Sequence, residues 1–164
     1  MKPNRRQEPK LGRVQHDTQG DARVWLVAAV VALIVCGVFA NNLASGFNYD
    51  DDGNILENPH FRGLAPRNLA WMFSTFHLGH YQPLSWVTLG LDYTVWGLNP
   101  VGYHLTNILL HAANAVLVFL LARELLGRTQ TTGPAGVPLL LSSAAAALLF
   151  ALHPLRVESV AWVT

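Results

Sequence analysis

The feature that most constrains the fold of this chain is a long apolar run close to its N-terminus. Residues Val24 to Ala40 include no charged side chain. Extended to about residue 42, the run is about long enough to cross a hydrocarbon core of ~30 Å as a helix that rises 1.5 Å per residue. We therefore predict a membrane-spanning helix over residues 24–42. A cleavable signal peptide is the alternative interpretation, with residues 38–40 as its small-residue cleavage site.

The composition agrees with a membrane protein. Of the 164 residues, 51% are hydrophobic and 13% are charged, whereas soluble domains carry about 25% charged residues. The net charge of +1 provides no positive field for nucleic acid, so we expect no nucleic-acid partner. These properties predict an all-α membrane protein.

The alternation of polar and apolar stretches predicts three complete transmembrane helices and the start of a fourth. The basic tail indicates that the N-terminus lies in the cytoplasm, because positive charge is retained on that side. The predicted segments are a disordered basic cytoplasmic tail (1–23), a transmembrane helix (24–42), an extracytoplasmic loop (43–100), a transmembrane helix (101–121), a cytoplasmic linker (122–136), a transmembrane helix (137–152), and an outer loop with a truncated fourth span (153–164).

The outer loop between spans one and two is itself predicted to be helical. After Pro66, apolar residues recur at helical spacing, which predicts an amphipathic helix with proline in its first turn. A second, mostly apolar helix is predicted from Pro83 to about Trp96. Its length of about 14 residues is short for a span and suits a helix at the membrane interface, where Trp and Tyr are favoured.

Within this loop, three consecutive carboxylates lie just beyond the first span, at Asp50, Asp51 and Asp52. Neighbouring carboxylates bind cations, shift one another's pKa, or act as a base. One interpretation is a solvated turn, since Asp52-Gly53 is a turn signal. The functional interpretation makes one aspartate a general base, and the others a site for a divalent metal ion or groups that tune the pKa of the base.

The second predicted span carries four polar residues spaced 3, 4 and 3 apart, at His104, Asn107, His111 and Asn114. That spacing places all four on one side of a helix. In lipid such groups need partners, and for the last three we favour hydrogen bonds between helices. His104 is nearest the outer face and is a candidate site residue.

The outer end of the third predicted span carries His153, Arg156 and Glu158 in the segment HPLRVE. An arginine at this position is suited to a phosphate headgroup. The alternative is an Arg156 side chain that extends to the interface and pairs with Glu158. His77 and His80 in the outer loop have a spacing that is only a weak indication of zinc.

Five segments, taken in order, resemble a known family: FNYDDDGNILENPHFRGL, WMFSTFH, YQPLSWVTLGLDY, GLNPVGYHLTNILLHAANAVLVFL and LFALHPLRVESVAWV. From Phe47 to Thr164 the chain resembles the N-terminal part of the bacterial relatives of the transmembrane and tetratricopeptide-repeat O-mannosyltransferases. That family is similar to the GT-C class of polytopic glycosyltransferases. The resemblance implies a longer protein of the bacterial inner (plasma) membrane that transfers a sugar, such as mannose, from a polyprenyl-phosphate carrier to a protein hydroxyl outside the cytoplasm.

The resemblance also implies roles for the acidic cluster. The acidic pair of the family falls on Asp50 and Asp51, which would be the catalytic residues. One of them would take the proton of the acceptor hydroxyl as it attacks the anomeric carbon. A divalent metal ion held by Asp50, Asp51 and Asp52 could stabilise the phosphate leaving group.

The carrier phosphate needs cationic stabilisation in any case. Arg156 is the candidate for that role, with His104, His153 and Glu158 as further substrate-binding candidates. Without the later spans, we expect the chain to be inactive by itself. The alternative function is a non-catalytic membrane anchor that presents downstream tetratricopeptide repeats to protein partners.

Overall fold

The computed structural model describes residues 18–48, 50–129 and 136–163, with side chains from residue 22 onward. Within these ranges the regular structure is helical and no β-strand occurs, so the prediction of an all-α protein is confirmed. A 3₁₀ turn extends the first helix, and a π-type turn lies in the outer loop. The helices in chain order are α1 (Thr18–Phe39), α2 (Pro66–Ser74), α3 (Pro83–Trp96), α4 (Pro100–Thr129), α5 (Val137–Ala151) and α6 (Arg156–Ala161), with the turns at Ala40–Ala44 and Asp52–Leu56.

Among the described residues, two helical stretches are long and apolar enough to cross a membrane, judged by length and composition alone. They are Ala22–Ala44 and Pro100–Thr129, and they coincide with the first two predicted spans. Helix α5 is apolar but has 15 residues, which is about 22 Å at 1.5 Å per residue and shorter than a typical hydrocarbon core. The predicted total of three complete spans and the start of a fourth therefore stays a prediction.

Helix α4 continues beyond residue 121 into the segment that the sequence analysis assigned to a cytoplasmic linker. The added turns contain good helix formers, and the Nε–H of Arg128 donates to the carboxylate of Glu124 one turn away, at 2.9 Å. The rest of that linker, residues 130–135, lies outside the described residues, as do residues 1–17 of the predicted tail. The segment predicted to begin a fourth span contains the short helix α6, which gives way to extended backbone at Trp162.

The three apolar helices α1, α4 and α5 pack against one another. Alanines at their contacts allow the helices to approach closely, as is common in membrane bundles. The shared core includes Val31, Val35, Phe39, Ile108, Ala112, Ala115, Phe119, Ala147 and Ala151.

Two polar residues of α4 bind backbone carbonyls of neighbouring segments. The Nε2 atom of His111 lies 2.9 Å from the carbonyl oxygen of Ala151, at the C-terminus of α5. The side-chain amide of Asn107 donates to the carbonyl oxygen of Trp162 at 2.7 Å. The last carbonyls of a helix lack partners within it, so these polar groups satisfy them. The prediction of hydrogen bonds between helices is confirmed for Asn107 and His111.

The outer-loop helices α2 and α3 each begin at a proline, as predicted, because proline suits the first helical turn. Helix α3 ends at Gly97, whose φ of +62° favours glycine. Together with the start of α4, these helices enclose a second core, which supports the acidic segment. It contains Ile55, Phe61, Met72, Trp86, Leu89, Tyr103 and Val163.

Candidate functional site

Asp51 is the buried member of the acidic cluster. Its side chain is 2% exposed, and its carboxylate accepts a hydrogen bond of 3.0 Å from the backbone N–H of Asn48. In return, the backbone N–H of Asp51 donates to the carbonyl oxygen of Asn48 at 3.1 Å. A carboxylate that reaches back three residues to a backbone N–H is one half of a capping box. Asp51 therefore holds the backbone of the acidic segment in a defined turn.

Asp50 and Asp52, on either side of Asp51, are exposed. Within the part of the chain that the structure describes, no group of three His, Cys, Asp or Glu side chains is placed to hold a metal ion. The central carboxylate is buried against the loop backbone, and a divalent cation site at Asp50, Asp51 and Asp52 stays a prediction. The carboxylates of Asp50 and Asp52 remain at the surface, where a substrate can reach them.

His77 connects the acidic segment to an aromatic cluster. Its Nε2 atom lies 3.3 Å from the carbonyl oxygen of Gly53, the residue after the third aspartate. The imidazole packs edge-to-face against Trp71 and Trp86, with ring centroids 5.6 and 5.4 Å away. The sequence pattern relates His77 only to His80, as a weak indication of zinc. A contact across 24 residues has no local sequence signal that could have predicted it.

His104 lies at the other end of the acidic segment. Its side chain is buried, and its Nε2 atom is 3.4 Å from the carbonyl oxygen of Gly46. Its Nδ1 atom is also buried and has no hydrogen-bond partner among the described residues. The structure therefore places His104 next to the acidic segment, in a position that supports the backbone rather than one at the surface.

The Arg156 guanidinium lies over the ring of Phe150, 4.6 Å from its centroid, and is exposed. A cation over an aromatic face is held in place without losing its charge. No ion pair joins Arg156 to Glu158 or to Asp50 among the described residues, and Glu158 is exposed. The Nδ1 atom of His153 accepts a hydrogen bond of 3.3 Å from the backbone N–H of Leu155.

Two adjoining cavities lie beside Arg156 and share His153 and Leu149. The first has a volume of about 360 Å³ and is lined by Leu149, Phe150, His153, Leu155 and Arg156. The second, about 420 Å³, is almost entirely apolar and is lined by Ala145, Leu148, Leu149, Leu152, His153 and Pro154. The pair therefore combines an apolar groove along the end of α5 with a polar end that carries a cation.

The end of the chain returns to the acidic loop. Val163, which follows α6, is buried in the same core as Ile55 and Tyr103, and Phe47 packs against that core. Phe47 and Ile55 lie on either side of the three aspartates. The residue that follows α6 and the residues that flank the aspartates thus share one core.

Asp92 is a buried carboxylate that the sequence analysis did not propose for the site. It lies on α3, is 6% exposed, and accepts a hydrogen bond of 2.5 Å from the hydroxyl of Thr106 on α4. Burial raises the pKa of Asp92, and the hydrogen bond from Thr106 opposes that rise. The sequence feature that could have indicated Asp92 is its position as a single acidic residue in an otherwise apolar helix.

Curated relatives cover most of this chain. Protein O-mannosyl-transferase Tmtc1 of Drosophila melanogaster is 36% identical over 132 residues, which is 76% of this chain and 14% of that protein. Protein O-mannosyl-transferase TMTC2 of Homo sapiens is 33% identical over 146 residues, 84% of this chain and 16% of that protein. Protein O-mannosyl-transferase TMTC4 of Homo sapiens is 36% identical over 150 residues, 84% of this chain and 20% of that protein.

No family model and no solved structure matches the chain. The chain spans between about a seventh and a fifth of the length of these relatives, from 14% to 20%. The similar proteins are named uniformly, and each aligned region covers three quarters or more of this sequence. The chain therefore belongs to the family of the TMTC protein O-mannosyl-transferases.

Proposed function

We propose that the intact protein transfers a mannose, or a closely related sugar, from a polyprenyl-phosphate carrier to a protein hydroxyl outside the cytoplasm. The observation that carries this proposal is the similarity of 76% to 84% of the chain to proteins named protein O-mannosyl-transferases. Because the chain spans only part of those proteins, the activity is proposed for the longer protein. This chain supplies the base and part of the site for the carrier.

The proposed base is Asp50. Its carboxylate is exposed, whereas that of Asp51 is buried and bound to the N–H of Asn48. In the proposed step, Asp50 takes the proton of a Ser or Thr hydroxyl while the hydroxyl oxygen forms a bond to the anomeric carbon. The bond between that carbon and the phosphate oxygen breaks, and the phosphate leaves on its polyprenyl chain. Asp51 positions Asp50 through its hydrogen bond with the backbone N–H of Asn48.

The proposed site for the carrier is the cavity beside Arg156 together with the adjoining apolar groove. An isoprenoid chain is apolar and suits a groove lined by leucines and Ala145. The leaving phosphate gains negative charge, which the guanidinium of Arg156 can stabilise. His153 lines both cavities, and we assign it to the junction between the chain and the phosphate.

The outer-loop helices are proposed to lie at the membrane interface. They expose large apolar side chains, whose contact with water is unfavourable: Phe73, Leu84, Leu91 and Val95. An interfacial position would hold the acceptor at the depth of the carrier headgroup. The two reactants would then be held close together and would not need to meet by diffusion. The proposed orientation has a cytoplasmic N-terminus, which the positive charge of the tail favours. The proposed location is the bacterial inner membrane, as the resemblance to the bacterial relatives implies.

The experiment compares Asp50→Asn with Asp52→Asn in the intact protein. Both residues are exposed and two positions apart, so they differ mainly in the proposed role. Membranes containing each variant are given a radiolabelled polyprenyl-phosphate mannose and an acceptor peptide with Ser and Thr. We expect Asp50→Asn to lower transfer by about 100-fold or more, and Asp52→Asn to retain it. Full activity of Asp50→Asn would exclude it as the base.

A second pair of variants tests the carrier site. Arg156→Ala should reduce transfer from the lipid-linked donor, while Arg128→Ala, at the far end of α4, should not. If the wild-type protein transfers no sugar while the intact chain still binds protein partners in membranes, the alternative of a non-catalytic anchor is favoured instead.

A further inference from the structure

The aspartates lie at the start of a short helical turn in the outer loop. Asp50 and Asp51 have helical backbone and lead directly into the π-type turn Asp52–Leu56. That turn closes through a hydrogen bond of 2.9 Å from the backbone N–H of Glu57 to the carbonyl oxygen of Asp52. Single turns of this type are rare and are found frequently at functional sites. The backbone that carries the proposed base therefore continues into a turn whose far end can influence it.

Arg62 binds the far end of this turn. Its Nη2 atom donates to the carbonyl oxygen of Leu56 at 2.7 Å and lies 3.4 Å from that of Ile55. The last carbonyls of a helical turn lack partners within it, and a cation is favoured beside them. The start of the segment is bound by Asp51, through the N–H of Asn48. The segment is thus held by a carboxylate at its start and by a guanidinium at its end.

Arg62 is itself anchored to the helices of the outer loop. Its guanidinium carbon lies over the ring of Tyr93 on α3, 5.8 Å from the centroid, which is a cation–π contact. Its backbone carbonyl oxygen accepts a hydrogen bond of 3.3 Å from the side-chain amide of Asn68, a buried residue of α2. Arg62 therefore connects the acidic turn to both α2 and α3.

The burial of Arg62 carries a cost that an apolar residue would avoid. Its Nε atom is buried without a hydrogen-bond partner among the described residues, and an unpaired buried donor destabilises a fold. No carboxylate in the described ranges forms an ion pair with Arg62. An apolar side chain of similar volume would fill the space without this cost. The contacts that offset it are those with the turn and with Tyr93, which indicates that Arg62 serves to hold the acidic segment.

We infer that Arg62 is a positioning residue for Asp50. The inference rests on the proposed function, in which Asp50 takes the proton of the acceptor hydroxyl. By holding the turn at Leu56, Arg62 limits rotation of the helical backbone that begins at Asp50, and this backbone sets the direction of the carboxylate. A base must lie within hydrogen-bond reach of the proton it takes, and a displacement of about 1 Å can lower a rate about 100-fold. Arg62 thereby acts on the rate of transfer rather than on carrier binding.

The first test compares Arg62→Ala with Arg67→Ala in the intact protein. Arg67 lies in the same loop and is exposed, so its loss controls for removal of a positive charge. Membranes are given a radiolabelled polyprenyl-phosphate mannose and an acceptor peptide with Ser and Thr. We expect Arg62→Ala to lower kcat about tenfold with little change in the KM for the donor, and Arg67→Ala to change neither. Arg62→Lys, or guanidinium ions added to Arg62→Ala, should restore part of kcat.

The second test determines whether Arg62 acts through Asp50. A base that is absent cannot be positioned, so Arg62→Ala combined with Asp50→Asn should transfer sugar as slowly as Asp50→Asn alone. An effect on the fold in general would instead lower the rate by the same factor in both backgrounds. Multiplicative losses overturn the inference, as does an Arg62→Ala variant with the kcat of the wild type.

Hydrogen exchange separates failure of this inference from failure of the proposed function. Exchange at the Glu57 amide, which closes the turn, is measured for the intact protein in micelles. It should be faster in Arg62→Ala than in the wild type or Arg67→Ala, because the end of the turn is released. A wild type that transfers no sugar defeats the proposed function. Faster exchange in Arg62→Ala would then still support Arg62 as the residue that holds Asp50, and unchanged exchange would overturn that role.

Discussion

The hydroxyl of Thr106 donates a hydrogen bond of 2.5 Å to the carboxylate of Asp92. This bond joins the outer-loop helix α3 to the start of α4, so it couples the loop to a candidate span. Because Asp92 is 6% exposed, its ionised form is poorly solvated, and burial raises its pKa above the ordinary value. The protonation state of Asp92 is therefore coupled to the contact between α3 and α4.

The first prediction concerns pH. Since the pKa of Asp92 is raised in the folded state, folding favours its protonated form. That contribution is fully present below the ordinary Asp pKa of about 3.9 and is lost as pH rises through the raised value. The free energy of unfolding attributable to Asp92 should thus fall as the pH increases from about 4 upward. Asp92→Asn, which can still accept from Thr106, should remove this slope.

The measurement is the melting temperature of the chain in neutral detergent micelles over a pH series. Wild type and Asp92→Asn are compared, with Glu124→Gln as a control because Glu124 is exposed at the other end of α4. If wild type and Asp92→Asn show parallel pH profiles, the assignment to Asp92 is wrong.

The second prediction concerns the buried aspartate of the acidic cluster. Asp51→Ala removes the acceptor for the N–H of Asn48 and should lower the free energy of unfolding by about 1 kcal/mol. Asp52→Ala, at an exposed position, should change it by less than about 0.5 kcal/mol. Hydrogen exchange at the Asn48 amide should accelerate in Asp51→Ala alone. Equal exchange rates in the two variants would contradict the capping role.

The third prediction concerns close packing at Gly90 on α3. A Cβ atom there would lie 2.8 Å from the terminal methyl of Met72 and 3.0 Å from the carbonyl oxygen of Phe61. Gly90→Ala should therefore destabilise the outer region by about 1–3 kcal/mol, as overpacking does. Gly37→Ala on α1 is the matched control, because a Cβ there meets nothing within 4 Å. It should be neutral or stabilising, since alanine favours helix.

Chemical denaturation in micelles measures the free energy of unfolding of both glycine variants. Circular dichroism reports loss of helix, and near-ultraviolet signals from Trp86 and Trp71 report the outer core. A Gly90→Ala chain as stable as Gly37→Ala would show that the loop backbone can move away at little cost.

The fourth prediction concerns the hydrogen bond between α4 and α5. His111→Leu leaves the carbonyl of Ala151 without its partner at 2.9 Å and should reduce stability by about 0.6–2 kcal/mol. Asn114→Leu is the comparison within the same helix, because Asn114 has no partner in the described part of a single chain. Asn114→Leu should cause no loss of stability. Unfolding in increasing dodecyl sulfate measures both, and an equal loss would contradict the prediction.

Much of the architecture follows from local sequence patterns. The apolar run from Val24 predicts α1 because its length matches a membrane, and Pro66 and Pro83 mark where α2 and α3 begin. These features depend on residues within one or two helical turns, so they can be recognised from the sequence alone. Helix α4 ends later than predicted, because the ARELLG segment combines charge, typical of a linker, with strong helix propensity.

The arrangement of the candidate site depends on contacts that no local pattern encodes. Asp50 and Asp51 are chemically identical neighbours, yet only the second is buried, because the turn that begins at Asn48 directs it inward. The contact between His77 and Gly53 joins residues 24 positions apart. In the sequence, Asp92 is one polar residue in an apolar helix. Its role in the packing follows only from the hydrogen bond that Thr106 donates to it.

The two histidine contacts described above have a mechanical consequence for the aspartates. The backbone is bound to His104 at Gly46 and to His77 at Gly53, so the residues between them form a short strap fastened at both ends. Such a strap opens only when one of the two contacts breaks, and its backbone loses conformational entropy during folding rather than during substrate binding. A displacement of the backbone at Asp50 therefore disturbs the contact at His104 or the contact at His77.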